Sequence, residues 1–142
     1  MNNFTLALIA HDSKKEDILH LVKRYQDKLN KIDLVATRGT GLLIQGRVGL
    51  PVTSMNSGPY GGYQQIGALV AQREVQAVIF LRDTLTAQAH EPDVSALLRV
   101  CDVHNVPLAT NLATAKAVLD SISKQRYTEA ELALVYTDRG GD

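Results

Sequence analysis

A chain of 142 residues is long enough for one domain, and its 45% apolar and 21% charged residues are ordinary for a globular protein. Fifteen basic residues balance fifteen acidic ones, which argues against a general nucleic-acid binder, and no apolar run approaches the ~20 residues of a membrane span. The single cysteine, Cys101, excludes an internal disulfide and lies among apolar residues, so we expect a packed core thiol in a cytoplasmic protein.

The first strand and the first helix have clear signals. The apolar run from Phe4 to Ala10 is typical of a strand that is covered on both faces. Ser13 and Glu16 match a capping box, and the apolar spacing then carries a helix to about Asn30. The run from Leu34 to Thr37 predicts a second strand.

Two glycine-rich segments follow. Residues 38–41 predict a turn before a short helix from Leu42 to Arg47, and residues 51–55 predict a weak third strand. Residues 56–65 contain three glycines and one proline, and a helix is expected from about Gln64 to Arg73. Glycine lets the backbone approach a ligand closely, and a helix start offers free N–H groups to an anion. A plain strand-to-helix turn is the alternative.

The second half of the chain predicts two more strands, each followed by a helix. Residues 75–81 are rich in β-branched and aromatic residues, and a long loop separates them from a helix that Asp93 would cap. Residues 106–109 predict the fifth strand, and Thr110 and Asn111 would supply the cap of the helix that follows it.

The fold class follows from this order of elements. Strand and helix alternate about five times, which predicts a three-layer, Rossmann-like α/β domain with a five-stranded parallel sheet and helices on both faces. No composition break divides the chain, so we expect residues 1–142 to form one domain. Residues 124–142 would be a weakly structured C-terminal extension, with a short edge strand over 132–136 and a frayed end over 137–142.

Polar side chains collect where the predicted strands end, which is where ligands of such sheets bind. They are His11, Asp12, Lys15, Thr37 to Thr40, Ser57 to Tyr63, Asp83 to Asp93 with His90, Thr110 and Asn111. Hydroxyls, backbone N–H groups and an ammonium can hold a phosphate, and a histidine with carboxylates can move protons next to a carbonyl. Each residue also has an ordinary interpretation, such as a solvated lysine, a turn hydroxyl or an N-cap.

Five segments of the chain resemble the methylglyoxal synthase family. They are ALIAHDSKK at residues 7–15, LVAT at 34–37, SGPYGGYQQIGA at 57–68, VIFLRD at 78–83 and HEPDVSALLRVCDVHNVPLATN at 90–111. Several long matches in the same order are more specific than one motif, and together they span about residues 4–122. The chain is therefore identified as a member of this family.

The resemblance implies a fold, an assembly and a reaction. The fold is three-layer α/β, and the assembly is a homohexamer that phosphate inhibits allosterically. Enzymes of the family remove a proton next to the carbonyl of dihydroxyacetone phosphate, form an enediolate and eliminate phosphate to leave methylglyoxal. The reaction needs no metal and no organic cofactor. The implied ligand is thus a small phosphorylated metabolite or inorganic phosphate.

The resemblance also assigns roles to residues. It places the phosphate contacts at Lys15, Thr37, Thr40, Ser57 and Gly58, and a substrate-site histidine at His11. His90 falls on the histidine that polarises the carbonyl and shuttles protons between oxygens, in a role like that of a neutral imidazole electrophile. Asp83 and Asp93 fall on carboxylates of the site, and Arg99 on an arginine of intersubunit phosphate signalling.

The sequence departs from the family pattern at the rim of the site. Where the family has a base aspartate, this chain has Tyr63, and a family glycine and a phosphate-binding threonine read Arg38 and Gly39. Family prolines after Asp83 and before His90 are also absent, at Thr84 and Ala89. The residues of the core strands and helices keep the family pattern.

Tyr63 bears directly on turnover. A phenol with a pKa near 10 is about one part in a thousand ionised at pH 7, so using it as a base costs roughly 4 kcal/mol. An adjacent Arg38 guanidinium would lower that pKa, and it would also recruit a phosphate or a carboxylate. Asp83, Asp93 and Glu91 are alternative bases.

Three hypotheses remain open from the sequence. The first is a methylglyoxal synthase with weak or altered activity. The second is a non-catalytic module that senses a phosphorylated metabolite or binds a protein partner. The third is a changed reaction on another sugar phosphate.

Overall fold

The fold is built on one parallel sheet of five strands. The computed structural model describes residues 4–122. The strands lie in the order β3-β2-β1-β4-β5, and all neighbouring pairs are parallel. They are β1 (Thr5–Ala10), β2 (Asp33–Ala36), β3 (Thr53–Ser54), β4 (Ala77–Leu81) and β5 (Leu108–Ala109). The predicted five-stranded parallel sheet is confirmed.

Helices connect the strands and cover both faces of the sheet. They are α1 (Lys15–Arg24), α2 (Gln26–Leu29), α3 (Arg38–Arg47), α4 (Gly62–Ala71), α5 (Glu91–Val103) and α6 (Leu112–Ile122). Two short 3-10 turns precede α1 and α4, at Asp12–Lys14 and Gly58–Tyr60. This arrangement is the predicted three-layer α/β fold.

The strand β1 shows why the sheet has a core on each side. Successive side chains of a strand point to opposite faces. Leu6 and Leu8 pack in the core that α1, α3 and α6 cover, whereas Ala7 and Ile9 pack in the core under α4 and α5. The run is apolar throughout because both of its faces are buried.

Two details of the first helix differ from the prediction. The capping box is wrong: α1 begins at Lys15, and its first turn has no side-chain cap. Ser13 lies inside the preceding 3-10 turn, where its hydroxyl bonds to Asp83 instead of to the helix. The helix also breaks at Tyr25, and α2 continues it to Leu29.

Two helix starts also differ from the prediction. Residues 38–41, predicted as a turn, are the first turn of α3, because the glycines there leave room for the helix to begin directly after β2. Asp93 is not an N-cap, because His90 holds that position and the helix begins at Glu91. Pro92 follows Glu91 in the first turn, where a proline is tolerated.

Other predictions are confirmed. Asn111 caps α6, since its Oδ1 accepts the Thr114 N–H at 3.0 Å. Cys101 is a fully buried free thiol in the core under α5. The edge strand at 132–136, the frayed end and the whole 124–142 extension lie outside the described residues. In the described part of the chain, no helix has the length and apolar character to cross a membrane.

Candidate functional site

The site lies at the carboxyl edge of the sheet, where the strands end and the segments after them begin. His11 directly follows β1 and Thr37 directly follows β2, whereas Ser57 lies three residues after β3 and Asp83 two residues after β4. The structure therefore brings the predicted residues to one edge. We call Lys15, Thr37, Thr40, Ser57 and Gly58 the anion half of the site, and His11, Tyr63, Phe80 and His90 the ring half.

Lys15 is the centre of the anion half. Its Nζ donates to the carbonyl oxygen of Ala10 and to Thr40 Oγ1, the latter at 3.0 Å. Burial lowers the pKa of Lys15 from its ordinary value, although Asp12 opposes that shift. Both hydrogen-bond acceptors are neutral, so the ammonium is partly desolvated without an ion pair in residues 4–122. A bound phosphate would supply the negative charge that the Lys15 ammonium lacks.

The N-terminus of α3 lies beside this ammonium. Thr37 is the buried N-cap, and its side chain does not cap the helix. A Cβ placed on Gly39 would lie 3.7 Å from Lys15 Nζ, so residue 39 borders the ammonium. The glycine leaves that approach open to a ligand. Helix N-termini with unpaired N–H groups attract anions.

Arg38 begins α3 and is exposed. Its backbone N–H reaches the carbonyl oxygen of Asn56 at 3.4 Å. Within residues 4–122, its guanidinium is in no ion pair. A second cation is thus available at this helix start.

The glycine-rich loop is shaped by its backbone. Ser57 accepts N–H groups from Tyr60 and Gly62 at 3.0 Å through its carbonyl oxygen, which closes the 3-10 turn. Gly61 has a φ of +105°, a conformation that favours glycine. A Cβ on Gly62 would meet the Asn56 carbonyl oxygen at 2.1 Å, so no side chain fits there. The loop is a close-packed turn that carries Gly58 to the site.

Tyr63 points into the site and is only 4% exposed. Its ring stacks on Phe80 at 5.3 Å and on His90 at 5.7 Å between centroids, with interplanar angles of 24° and 26°. A Cβ on Gly58 would lie 2.3 Å from Tyr63 Cζ. The phenol therefore contacts the other rings of the ring half and also the loop that carries Gly58.

The environment makes Tyr63 a worse base than a free phenol. Burial raises its pKa to about 12, and the negative charges of Asp93, Asp12 and Glu91 act in the same direction. The lowering expected from an adjacent Arg38 is not found: desolvation and nearby carboxylates set this pKa, and the exposed guanidinium does not contribute to it. At pH 7 the ionised fraction is about one part in 10⁵, which corresponds to a cost of about 7 kcal/mol.

His11 is held in one tautomer. Its Nδ1 accepts the backbone N–H of Asp83 at 2.8 Å. Burial, with His90 as the next cause, lowers the pKa of His11, so the imidazole is neutral and its proton lies on Nε2. His11 is 7% exposed, and its Nε2 has no hydrogen-bond partner in the described residues. A buried, unpaired donor at the site edge is unsatisfied until an acceptor arrives.

The three candidate carboxylates have different partners. Asp93 Oδ1 accepts the Gln64 Nε2–H at 3.0 Å, and Glu91 Oε1 forms an ion pair with Arg82 at 2.8 Å. Asp83 is turned into its own loop, where hydrogen bonds from Thr86 and then from the Leu85 N–H lower its pKa. Asp93 is the carboxylate with the largest effect on Tyr63. Of the three carboxylates, Asp93 therefore acts most strongly on this part of the site.

Sequence reasoning did not select Phe80 as a site residue, although it forms the base of the ring half. His11 meets it edge-on at 5.1 Å between centroids, and Tyr63 stacks on it. The signal was its place one residue before the carboxyl end of β4, on the face that α4 covers. Gln64 was also not selected, and the signal was its place next to Tyr63 in the first turn of α4.

Comparison with known proteins assigns the family. A sequence model of the MGS-like domain matches residues 17–110. A methylglyoxal synthase of Clostridium perfringens is 58% identical over 117 residues, which cover 82% of this chain and 98% of that protein. One of Cupriavidus metallidurans is 53% identical over 128 residues, with 90% and 91% coverage. The chain belongs to the methylglyoxal synthase family.

The fold agrees with this membership. The crystal structure of methylglyoxal synthase from Elizabethkingia anophelis NUHP1 superposes with a TM-score of 0.78 and 38% identity, covering 91% of this chain and 96% of that one. The chain therefore has the scaffold of a methylglyoxal synthase family member.

Arg99 is exposed on α5. It lines a cleft of about 390 Å³ between α4 and α5, which Tyr63, Gln64 and Asp93 also line. Arg99 and Tyr63 of the ring half therefore border the same cleft. Residues 4–122 contain no group of three or more histidine, cysteine or acidic side chains arranged for a metal.

Proposed function

We propose that this protein binds inorganic phosphate or a small phosphorylated metabolite in its site, and that it catalyses the family reaction weakly or not at all. The anion half supports binding, because Lys15, the start of α3 and the glycine-rich loop are arranged around one edge of the sheet. One observation supports the loss of turnover: the phenol of Tyr63, at the position where the resemblance implies the family base, is buried and has a pKa of about 12.

The reaction needs a proton to leave a carbon next to a carbonyl. His90 remains at the site, but Tyr63 covers one face of its ring. A general base contributes about 10² to 10⁴ in rate, so its loss alone would reduce turnover by that order. Phosphate binding does not require this base, which is why we separate the two properties.

The test measures binding and turnover in the same preparations. The wild-type protein and a Tyr63→Asp variant are titrated with phosphate by calorimetry and incubated with dihydroxyacetone phosphate, with methylglyoxal as the readout. We expect phosphate binding in both, and turnover that rises by about 10² or more in Tyr63→Asp. Wild-type turnover equal to that of the Clostridium perfringens enzyme would overturn the loss of activity, and an absence of phosphate binding would overturn the binding function.

A synthase that uses Asp93 as its base is the second candidate, and the charge of Asp93 near Tyr63 supports it. The carboxylate lies in the first turn of α5, held by Gln64, and it contributes to the raised pKa of Tyr63. Asp93 would then be the base, with His90 as electrophile. Under this candidate, Asp93→Asn abolishes a measurable wild-type turnover, whereas Tyr63→Phe leaves it nearly unchanged.

We further propose a homo-oligomer, with the hexamer of the family as its form and Arg99 near a subunit boundary. The half-exposed Val103 lies in the same cleft of α5 and supports a contact there. Light scattering coupled to gel filtration would give the mass, and a monomer of 15.5 kDa would contradict the proposal. The cytoplasmic location and a protein partner stay predictions.

A further inference from the structure

Asn56 lies at the base of the glycine-rich loop and holds that loop through three of its polar groups. Its backbone N–H donates to Gln65 Oε1 of α4 at 2.7 Å, and its side-chain Nδ2 donates to the carbonyl oxygen of Tyr60 at 3.2 Å. Its carbonyl oxygen accepts the N–H of Arg38, the first residue of α3, at 3.4 Å. One residue thus joins α3, the loop and α4.

Two of these bonds enclose the part of the loop that carries the anion contacts. Ser57 and Gly58 follow Asn56 directly, and the resemblance places phosphate contacts at both. The bond from Nδ2 to Tyr60 closes this segment on itself, while the bond from the backbone N–H fixes its base to α4. The position of the loop backbone is therefore set from Asn56.

The third bond of Asn56 sets the loop against the start of α3. Thr37 is the N-cap of this helix, and Thr40 in its first turn accepts a hydrogen bond from Lys15 Nζ at 3.0 Å. Arg38 lies between these two threonines, and its N–H is held by the Asn56 carbonyl oxygen. The two elements that would share a phosphate are therefore joined at a residue that itself needs no contact with the phosphate.

The glycines at the start of α4 pack against Asn56. A Cβ on Gly62 would lie 2.1 Å from the Asn56 carbonyl oxygen, and one on Gly61 would lie 3.6 Å from Asn56 Nδ2. The turn from the loop into α4 therefore closes directly on this residue. Asn56 and Gln65 are both exposed, so water competes for their hydrogen bonds and the contribution of each bond is modest.

We propose that Asn56 and Gln65 are positioning residues of the anion half, which hold the phosphate-contacting segment of the loop at the distance from α3 at which both elements bind one phosphate. The proposal rests on the phosphate binding proposed above. A loop without these bonds would have to be ordered when the ligand binds, and the lost entropy would weaken binding. Bonds that order the loop beforehand avoid this loss. Their effect should therefore appear in the phosphate affinity of the folded protein, and not only in its stability.

Two variants remove the two side-chain bonds separately. Gln65→Met keeps nearly the same shape and has no acceptor oxygen, and Asn56→Ala removes Nδ2 but keeps the backbone groups. Gln72→Met is the matched control, since Gln72 is exposed at the other end of α4. Each purified protein is titrated with inorganic phosphate by calorimetry, where the stoichiometry reports the competent fraction and the Kd reports the site. Thermal melts report the stability.

We expect Gln65→Met and Asn56→Ala each to weaken phosphate binding by about three- to tenfold, which is the effect of one ordinary hydrogen bond on an equilibrium. Gln72→Met should bind phosphate as the wild type does. Gln65→Glu keeps an acceptor oxygen. In roughly 0.5 M salt, where its added charge is screened, it should therefore bind phosphate more tightly than Gln65→Met.

The outcomes distinguish this inference from the function on which it rests. If the wild type, Gln65→Met and Asn56→Ala bind phosphate equally and differ only in melting temperature, both residues have a purely structural role and the inference is overturned. An equal loss of affinity in Gln72→Met, or no advantage of Gln65→Glu over Gln65→Met, would also overturn it. If the wild-type protein does not bind phosphate, the proposed function fails and the inference fails with it.

Discussion

The anion half and the ring half of the site lie side by side and differ in how they could serve the family reaction. In the anion half, Lys15 bonds Thr40 at the start of α3, and the ammonium has room for an anion. In the ring half, a buried phenol with a pKa of about 12 stacks on His90, at the position where the resemblance implies a base. Under the proposed function, ligand binding and proton abstraction would rest on separate residues, so that one could be lost while the other stays.

Removing the ammonium should have the largest effect on binding. We expect Lys15→Met to weaken phosphate binding by about ten- to a hundredfold, because a hydrogen bond to a charged group is worth about 1.5–3 kcal/mol. Lys23→Met is the matched control, since Lys23 is exposed in the last turn of the same helix. Calorimetric titration with phosphate measures both. Equal phosphate affinities for Lys15→Met and the wild type would show that Lys15 does not bind the phosphate, which would contradict the role given to the anion half.

A glycine substitution tests whether the two halves are packed together. Gly58→Ala should lower the free energy of unfolding by about 1–3 kcal/mol, since its Cβ would lie 2.3 Å from the Tyr63 ring. The loss should shrink in a Tyr63→Asp background, where that ring is gone. Denaturant unfolding of the four proteins of this cycle provides the measurement.

Gly62→Ala is the contrasting control for that cycle. Its Cβ would meet the Asn56 backbone, which a change at Tyr63 does not move. We therefore expect Gly62→Ala to destabilise equally with Tyr63 and with Tyr63→Asp. If Tyr63→Asp also restored the stability that Gly62→Ala loses, the phenol would affect the stability of the whole loop and not only its contact with residue 58.

The smallest expected effect is a pH dependence from the ring half. Burial lowers the pKa of His11 below its ordinary 6.5, so below that pH the unfolded chain takes up the proton first. The free energy of unfolding should therefore fall as the pH drops from about 6.5 towards the lower folded pKa. Thermal melts between about pH 7.5 and 5.5 should show a weaker fall for His11→Asn. A steeper fall in His11→Asn would contradict the neutral, buried imidazole.

The sheet could be predicted from the sequence because its signals are local. Runs such as Phe4 to Ala10 are apolar in every position since both faces are buried, and this pattern needs no knowledge of distant residues. Helix starts were less predictable. Ser13 satisfies the capping-box pattern, but its hydroxyl bonds to Asp83, which is distant in the sequence.

The site was predictable in its members and not in its electrostatics. The order of strands brings His11, Thr37 and Asp83 to one edge, and this follows from alternation alone. The raised pKa of Tyr63 depends on which rings cover it and which carboxylates lie near it, and those contacts join α4, β4 and α5. The rotamer of Tyr63 and the tautomer of His11 are likewise set by contacts with residues that are distant in the sequence.

The most direct test of a site that binds without abstracting a proton is a proton NMR time course of dihydroxyacetone phosphate in D₂O with the wild-type protein. One spectrum reports both exchange of the carbon-bound protons next to the carbonyl and the appearance of methylglyoxal. We expect the substrate resonances to change on binding, with exchange and product formation slow or absent, and we expect Tyr63→Asp to accelerate at least one of them. Rapid exchange or product formation by the wild-type protein would contradict it.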